Sequence, residues 1–114
     1  MFDVIIKGGL VADGQSSGLA KLDVAIKGGL IADVAPSIPS EGARIIQADG
    51  KVVAPGFIDV HSHSDYYLLI DPRAHSKVTQ GVTTEIGGNC GYSAAPMGGE
   101  TRRQRAKDYE AQFG

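Results

Sequence analysis

An eleven-residue segment occurs twice, and it restricts what the first half of this chain can fold into more than any other feature. DVIIKGGLVAD at residues 3–13 returns as DVAIKGGLIAD at residues 23–33, the only differences being Ile5/Ala25 and Val11/Ile31. Each copy is rich in Val, Ile and Leu on both sides of a Gly-Gly pair, and two glycines supply the positive φ that a two-residue hairpin turn demands. The pattern predicts two β-hairpins, turning at Gly8-Gly9 and at Gly28-Gly29, joined by a loop over residues 13–19. Two copies are too few for a solenoid, so the expected object is a small β-sheet or sandwich. A second loop, rich in Pro, Ser and Gly, follows at residues 36–42. Residues 43–48 and 51–54 then read as two further short strands around Asp49-Gly50.

The hairpin rhythm stops at Ala54-Pro55-Gly56, which divides the chain into a β-rich part (residues 1–54) and an α/β part (residues 55–114). Residues 57–63 (FIDVHSH) read as a buried strand and residues 82–86 (VTTEI) as a second, β-branched one. Between them Asp71 is placed as an N-cap with Pro72 at the first helical position, Ala74 and Val78 share a face, and Gly81 is placed to end the helix. That is a βαβ unit, which implies a parallel pair. After Pro96, Thr101 and Gln104 have capping-box spacing and Ala106, Tyr109 and Phe113 form a helical stripe, predicting a last helix.

Composition removes several function classes. Eleven basic residues against thirteen acidic ones give a net charge of -2, which provides no basic field for nucleic acid or an anionic membrane. No apolar run reaches the roughly 18 residues that span a bilayer. A single Cys makes no internal disulfide, and Asp3 stands where a signal peptide would carry a basic residue, so the expected compartment is the cytoplasm. Nothing in the composition fixes an oligomeric state.

Three residues stand out as carriers of chemistry. His61 and His63, two apart near the end of a strand, would point to one face with their Cα atoms about 7 Å apart, a spacing that can chelate one ion; the plain alternative is a polar strand terminus with solvated imidazoles. Cys90 lies at the C-terminal end of the second strand, where a parallel arrangement brings it near the histidines. It is either a small buried hydrophobe or a thiolate ligand in a set that suits zinc. Asp59 shares the parity of the histidines, Asn89 adjoins the cysteine, and Asp65 is either a solvent-exposed loop residue or an acceptor that fixes a histidine tautomer. His75 is expected on the surface, and Tyr66 and Tyr67 at the rim. No phosphate-binding glycine loop, nucleophile elbow or C-x-x-C motif is present.

The run APGFIDVHSHSD (residues 54–65), followed by QGVTT (residues 80–84) and GNCGYSAAP (residues 88–96), resembles the metal-dependent amidohydrolase superfamily and, within it, the N-acyl-D-amino-acid deacylases (D-aminoacylases). The first element is shared widely across the superfamily; the second is narrower, because in this branch a cysteine supplies a metal ligand that most relatives draw from a carboxylated lysine. The opening β-rich segment also looks like the family's N-terminal sandwich strands. The resemblance implies an α/β chain made of small β-sandwich strands followed by the first βα units of a (β/α)₈ barrel. Its metal ligands would be His61, His63 and Cys90, binding one or two Zn²⁺ ions, with Asp59, Asp65 and Asn89 behind them. The implied reaction is hydrolysis of a small-molecule N-acyl-D-amino acid to a carboxylate and a D-amino acid. It also implies that two further histidines and the general base come from strands beyond residue 114, so that no catalytic base falls within these residues and the chain alone is expected to be inactive. Two other readings compete. One is a cyclic-amide hydrolase of the dihydroorotase or hydantoinase type, which the Asn89-Cys90-Gly91 signature disfavours. The other is a non-catalytic β-rich metal-binding or assembly module.

Overall fold

Identical segments that pair antiparallel must be related by a two-fold axis, and this is how the repeat is used. The computed structural model describes residues 1–15, 17–93 and 95–113, with only the backbone at the last of these. It separates into two compact units, Met1–Pro55 and Gly56–Gly114. In the first, β1 (Val4–Val11) pairs antiparallel with β2 (Ala20–Lys27), in the register Val4↔Ile26, Ile5↔Ala25, Ile6↔Val24. The equivalent residues Ile5 and Ala25 therefore face each other across the pseudo-dyad, and both are fully buried. This pair is one of the two places where the copies differ, and the swap sets a large side chain against a small one on the axis. The first residues of the repeat obey the same symmetry: Gly28 N–H donates to Asp3 at 2.6 Å, and Gly8 N–H donates to Asp23 at 2.9 Å. Each aspartate thus holds the glycine of the other copy.

The symmetry ends at the glycine pairs. Gly28-Gly29 form the expected turn, with φ of 60° and 79°, between β2 and β3 (Leu30–Ala35). Gly8-Gly9 do not turn. β1 runs straight through them with a register shift between Ile6 and Gly9, and the first hairpin closes instead through the loop after Val11. The reason is the neighbour on the other edge. β4 (Arg44–Gln47) and β5 (Val52–Val53) both lie parallel to β1, before and after the bulge. Ala48 N–H donates to the Lys7 carbonyl and Leu10 N–H to the Lys51 carbonyl, so residues 48–51 loop out opposite Gly8-Gly9. A Cβ on Gly9 would land inside the Val53 side chain and within 3.2 Å of Ala48 Cβ. Gly9→Ala is expected to cost about 1–3 kcal/mol through overpacking, whereas Gly18→Ala, with open space around its Cβ, should stay within about 0.5 kcal/mol. Urea unfolding of the two variants measures the contrast.

The resulting sheet has the order β3-β2-β1-β4, with β5 also on β1. One face is closed by the loop of residues 36–43: Ile38, 2% exposed, caps Ile5 and Ala25, with Phe2, Ala35, Ala43 and Ile45 around them. Asp23 lies under the same loop, 5% exposed, and accepts the amide N–H of Ile38 at 2.9 Å as well as that of Gly8, with Lys7 Nζ at 3.5 Å. The other face is apolar too. Ile6, Val24, Ile26, Ile31 and Val34 line a cavity of about 370 Å³ with Val53 and Pro55.

The second unit has the expected parallel pair, β6 (Phe57–Asp59) beside β7 (Val82–Glu85), so the architecture is mixed α/β. Both strands are shorter than their hydrophobic runs indicate, and β6 ends before the histidines. The crossover carries two single helical turns, α1 (Tyr67–Ile70) and α2 (His75–Val78), rather than one helix starting at Pro72. Asp71 does not cap that helix: its carboxylate takes the Arg73 N–H and guanidinium, and the left-handed Ala74 (φ 49°) precedes α2. Gly81, with φ of 83°, ends the crossover as expected. A longer helix, α3 (Gly99–Phe113), begins two residues before Thr101, so the capping-box reading fails and Glu100 occupies the first turn. The side chain of Phe113, part of the expected stripe, lies outside the described residues, as does Ala94 of the GNCGYSAAP run. No helix among the described residues is long and apolar enough to cross a membrane.

Candidate metal centre

His61 and His63 sit on the bend that follows β6, and Cys90 on a 3₁₀ turn (Asn89–Gly91) that follows β7. Because the two strands are parallel, their C-terminal ends lie side by side and the two turns meet. Cys90 Sγ lies 3.4 Å from His61 Nε2, and the imidazoles of His61 and His63 are edge to face with centroids 5.4 Å apart. One ligand atom from each of the three residues falls within 4.8 Å of the others, and all three residues are exposed. Cys90 is therefore not the buried hydrophobe of the plain alternative. Donors about 2.0–2.3 Å from a tetrahedral ion stand roughly 3.5 Å apart, so this trio, with its ligand atoms within 4.8 Å of one another, would fit such an ion once the side chains draw in by about an ångström. Strand alternation is not what brings the histidines together, since neither belongs to the strand.

The turn bearing Cys90 is held against the histidine bend by polar bonds. Cys90 itself is left-handed (φ 55°, ψ 28°), a conformation that costs a non-glycine residue about 1–2 kcal/mol. Asn89 Nδ2 donates to the Ser62 carbonyl at 3.1 Å and to the Ile86 carbonyl at 2.7 Å, and Gly88 N–H donates to Asp65 at 3.0 Å. Asn89 and Asp65 thus join the two turns through backbone groups, and the bond seen for Asp65 is to an amide rather than to an imidazole. Asp59 likewise meets the backbone of His61, accepting its N–H at 3.1 Å.

Beneath the bend lies a charged cluster that the sequence did not single out. Lys77 Nζ, from α2, is 2.7 Å from Asp59, 2.6 Å from Glu85 and 3.1 Å from Ser62 Oγ. Ser64 Oγ donates to the second oxygen of Glu85 at 2.8 Å. The Asp59 bond, then that to Glu85, raises the Lys77 ammonium above its ordinary range; the Lys77 bond, then that of Ser64, lowers Glu85. Asp59 is lowered by Lys77 first and the His61 amide second. The sequence signal for this cluster was the shared parity of Asp59 with the histidines.

Beside His63 and Cys90 a cavity of about 440 Å³ is lined by Tyr66, Tyr67, Tyr92, Tyr109 and Gln112. Tyr66 is not simply a rim residue. It stacks on Tyr109 with centroids 4.0 Å apart, donates its hydroxyl to the Ser93 carbonyl, and is pushed up to about 12 by burial and by the Tyr109 hydroxyl. Arg105 lies 4.8 Å over the Tyr92 ring. His75 is exposed, as expected.

Known proteins resemble this chain over most of its length. The profile of the amidohydrolase family matches residues 44–112. An N-acyl-D-aspartate deacylase of Alcaligenes xylosoxydans xylosoxydans is 43% identical over 102 residues, covering 90% of this chain and 20% of that protein. Among solved structures, a D-aminoacylase described as defining a novel subset of amidohydrolases superposes with a TM-score of 0.78 at 46% identity, over 85% of this chain and 20% of its own. An N-acyl-D-glutamate deacylase from Bordetella bronchiseptica, solved with zinc and a phosphonate mimic of the tetrahedral intermediate, gives 0.73 at 39%, over 83% and 20%. The chain spans about a fifth of the length of these relatives.

Proposed function

This chain belongs to the amidohydrolase family, and from that premise we propose that it furnishes one side of the metal centre of a zinc-dependent N-acyl-D-amino-acid deacylase. The observation that carries the proposal is the convergence of His61, His63 and Cys90 within 4.8 Å at the C-terminal ends of two parallel strands. A thiolate with two imidazoles suits zinc in preference to the hard cations. A bound ion would supply Lewis-acid polarisation of the scissile carbonyl and a nucleophile at neutral pH. The residues of this chain would hold the ion, keep its ligands on two tied turns, and present the tyrosine-lined cavity to the acyl-amino acid.

Ligand placement at the C-terminal strand ends is the arrangement of (β/α)₈ enzymes, and we read the second unit as the opening of such a barrel. Phe57 and Ile58 of β6, with Val60 and Ile86 just past the strand ends, are more than half exposed, as a strand pair that awaits further barrel elements would be. We read the first unit as one sheet of a sandwich, on the strength of its second apolar face. Across the 114 residues, the single cysteine, Cys90, agrees with a cytoplasmic location.

The cyclic-amide hydrolase reading gains less, since the similarity extends through the Cys90 turn to deacylases that act on N-acyl-D-aspartate and N-acyl-D-glutamate. Two measurements test the proposal. Metal analysis of the purified chain is expected to find bound zinc that chelation removes. Assay with N-acetyl-D-amino acids is expected to find no turnover by the 114 residues alone; turnover would refute the assignment of the general base to other segments.

A further inference from the structure

Of the residues on the histidine bend, the buried one is the serine between the two histidines: Ser62 is 6% exposed, whereas both imidazoles are exposed. The bend lies past the end of β6, so no sheet ladder sets its path, and the two histidines face Cys90 only while this backbone is held. Besides the Asn89 bond to the Ser62 carbonyl, the side chains that hold it are those of the charged cluster. The Ser62 hydroxyl lies 2.5 Å from Ser64 Oγ, 3.1 Å from Lys77 Nζ and 3.3 Å from Glu85 Oε1, and Asp59 joins Lys77 to the His61 amide. Two elements therefore converge on the residue between the candidate ligands, α2 through Lys77 and β7 through Glu85, while β6 meets Lys77 and the His61 amide through Asp59. Lys77 has two carboxylates and a hydroxyl around its ammonium, an arrangement that fits a tether and leaves little for a nucleophile or base.

We infer that Lys77 and Glu85, acting through Ser62 and Ser64, are positioning residues of the metal centre, which fix the bend so that His61 and His63 converge on the Cys90 sulfur. The inference rests on the reading of these three residues as metal ligands. Without the ammonium, Asp59 and Glu85 would face each other uncompensated, and their repulsion would push the bend away from β7. Partners behind metal ligands are worth about 10–100-fold in metal affinity.

Cobalt(II) titration of the full chain tests this, because a thiolate ligand gives an intense near-ultraviolet charge-transfer band and the visible bands report ligand geometry. Ser62→Ala, Lys77→Met and Lys77→Arg are compared with wild type, and each is also melted in chelator to measure stability without metal. Ser62→Ala and Lys77→Met are expected to weaken cobalt binding about 10–100-fold and to alter the visible bands at saturation, while Lys77→Arg, which keeps the charge, recovers part of the affinity. If Lys77→Met fails to fold, Ser62→Ala decides the outcome, since it removes one hydroxyl and no charge. Wild type without the charge-transfer band would overturn the ligand assignment, and this inference with it. A wild-type band accompanied by unchanged affinity and spectrum in the folded variants would overturn the positioning role alone.

Discussion

Cys90→Ser is expected to abolish the thiolate-to-cobalt absorption and to weaken zinc binding by more than the 10–100-fold that outer partners are worth. A serine hydroxyl stays protonated at neutral pH, so the substitution replaces an anionic, polarisable donor by a neutral one while leaving the left-handed turn and its Asn89 bonds in place. Two imidazoles then remain, and a pair 5.4 Å apart is a weak site for an ion that prefers four ligands. The measurement is zinc content after dialysis, beside a chelator-competition affinity. Equal zinc retention by wild type and variant would remove Cys90 from the site. Asn89→Ala supplies a graded comparison: it keeps the sulfur but unties the cysteine turn from the Ser62 carbonyl, and its loss should be smaller than that of Cys90→Ser.

Asp23→Ala is expected to destabilise the first unit by about 2–4 kcal/mol, because it strands two amide donors and a lysine that were arranged around a buried carboxylate. The donors are Gly8 and Ile38, so the substitution loosens the β1 bulge and the loop that closes the core together. Its symmetry mate is the control. Asp3 makes the equivalent bond to Gly28 from an exposed position, and Asp3→Ala should cost about 1 kcal/mol or less. Acid separates the two further. Burial works to raise the Asp23 carboxyl, but the Ile38 and Gly8 amides and Lys7 outweigh it and hold the group below its ordinary 3.8. A carboxylate lowered in the folded state contributes its stability fully above the unfolded value and loses it as pH falls through the folded one. The stability difference between wild type and Asp23→Ala should therefore be constant above about pH 5 and shrink below pH 4. Urea unfolding across pH 3–7 would show this, and a difference that grows on acidification would contradict it.

Much of the candidate site is legible in the sequence, for identifiable reasons. His61, His63 and Cys90 are residue types with few structural uses in such company, and a strand-crossover-strand pattern brings the ends after residues 59 and 85 together whatever the details of the connection. The candidates behind them were legible only as residues. Asp59, Asp65 and Asn89 lie beside the candidate ligands, and their bonds run to backbone amides and a carbonyl rather than to imidazoles, a distinction carried by turn geometry. Lys77 and Glu85 were invisible as a pair: eight residues separate them in the chain, and a lysine on a surface turn and a glutamate in a strand are each ordinary by themselves.

The repeat marks the limit most clearly. Sequence alone determined that residues 3–13 and 23–33 are strand-forming, that glycine pairs interrupt them, and that candidate metal ligands follow two parallel strands, because apolar content, positive-φ tolerance and ligand chemistry are properties of the residues themselves. Only the tertiary structure decided that one Lys-Gly-Gly-Leu is a turn and its identical copy a bulge within a strand. Local preference cannot distinguish equal sequences. Here β4 and β5 lie along β1, and Val53 packs where a Gly9 side chain would stand, while β3 folds back after Gly28-Gly29 with nothing within 4 Å of either glycine's Cβ position. The same dependence on distant partners fixes the histidine bend, whose path is set by Lys77 and Glu85 rather than by the alternation of the strand before it.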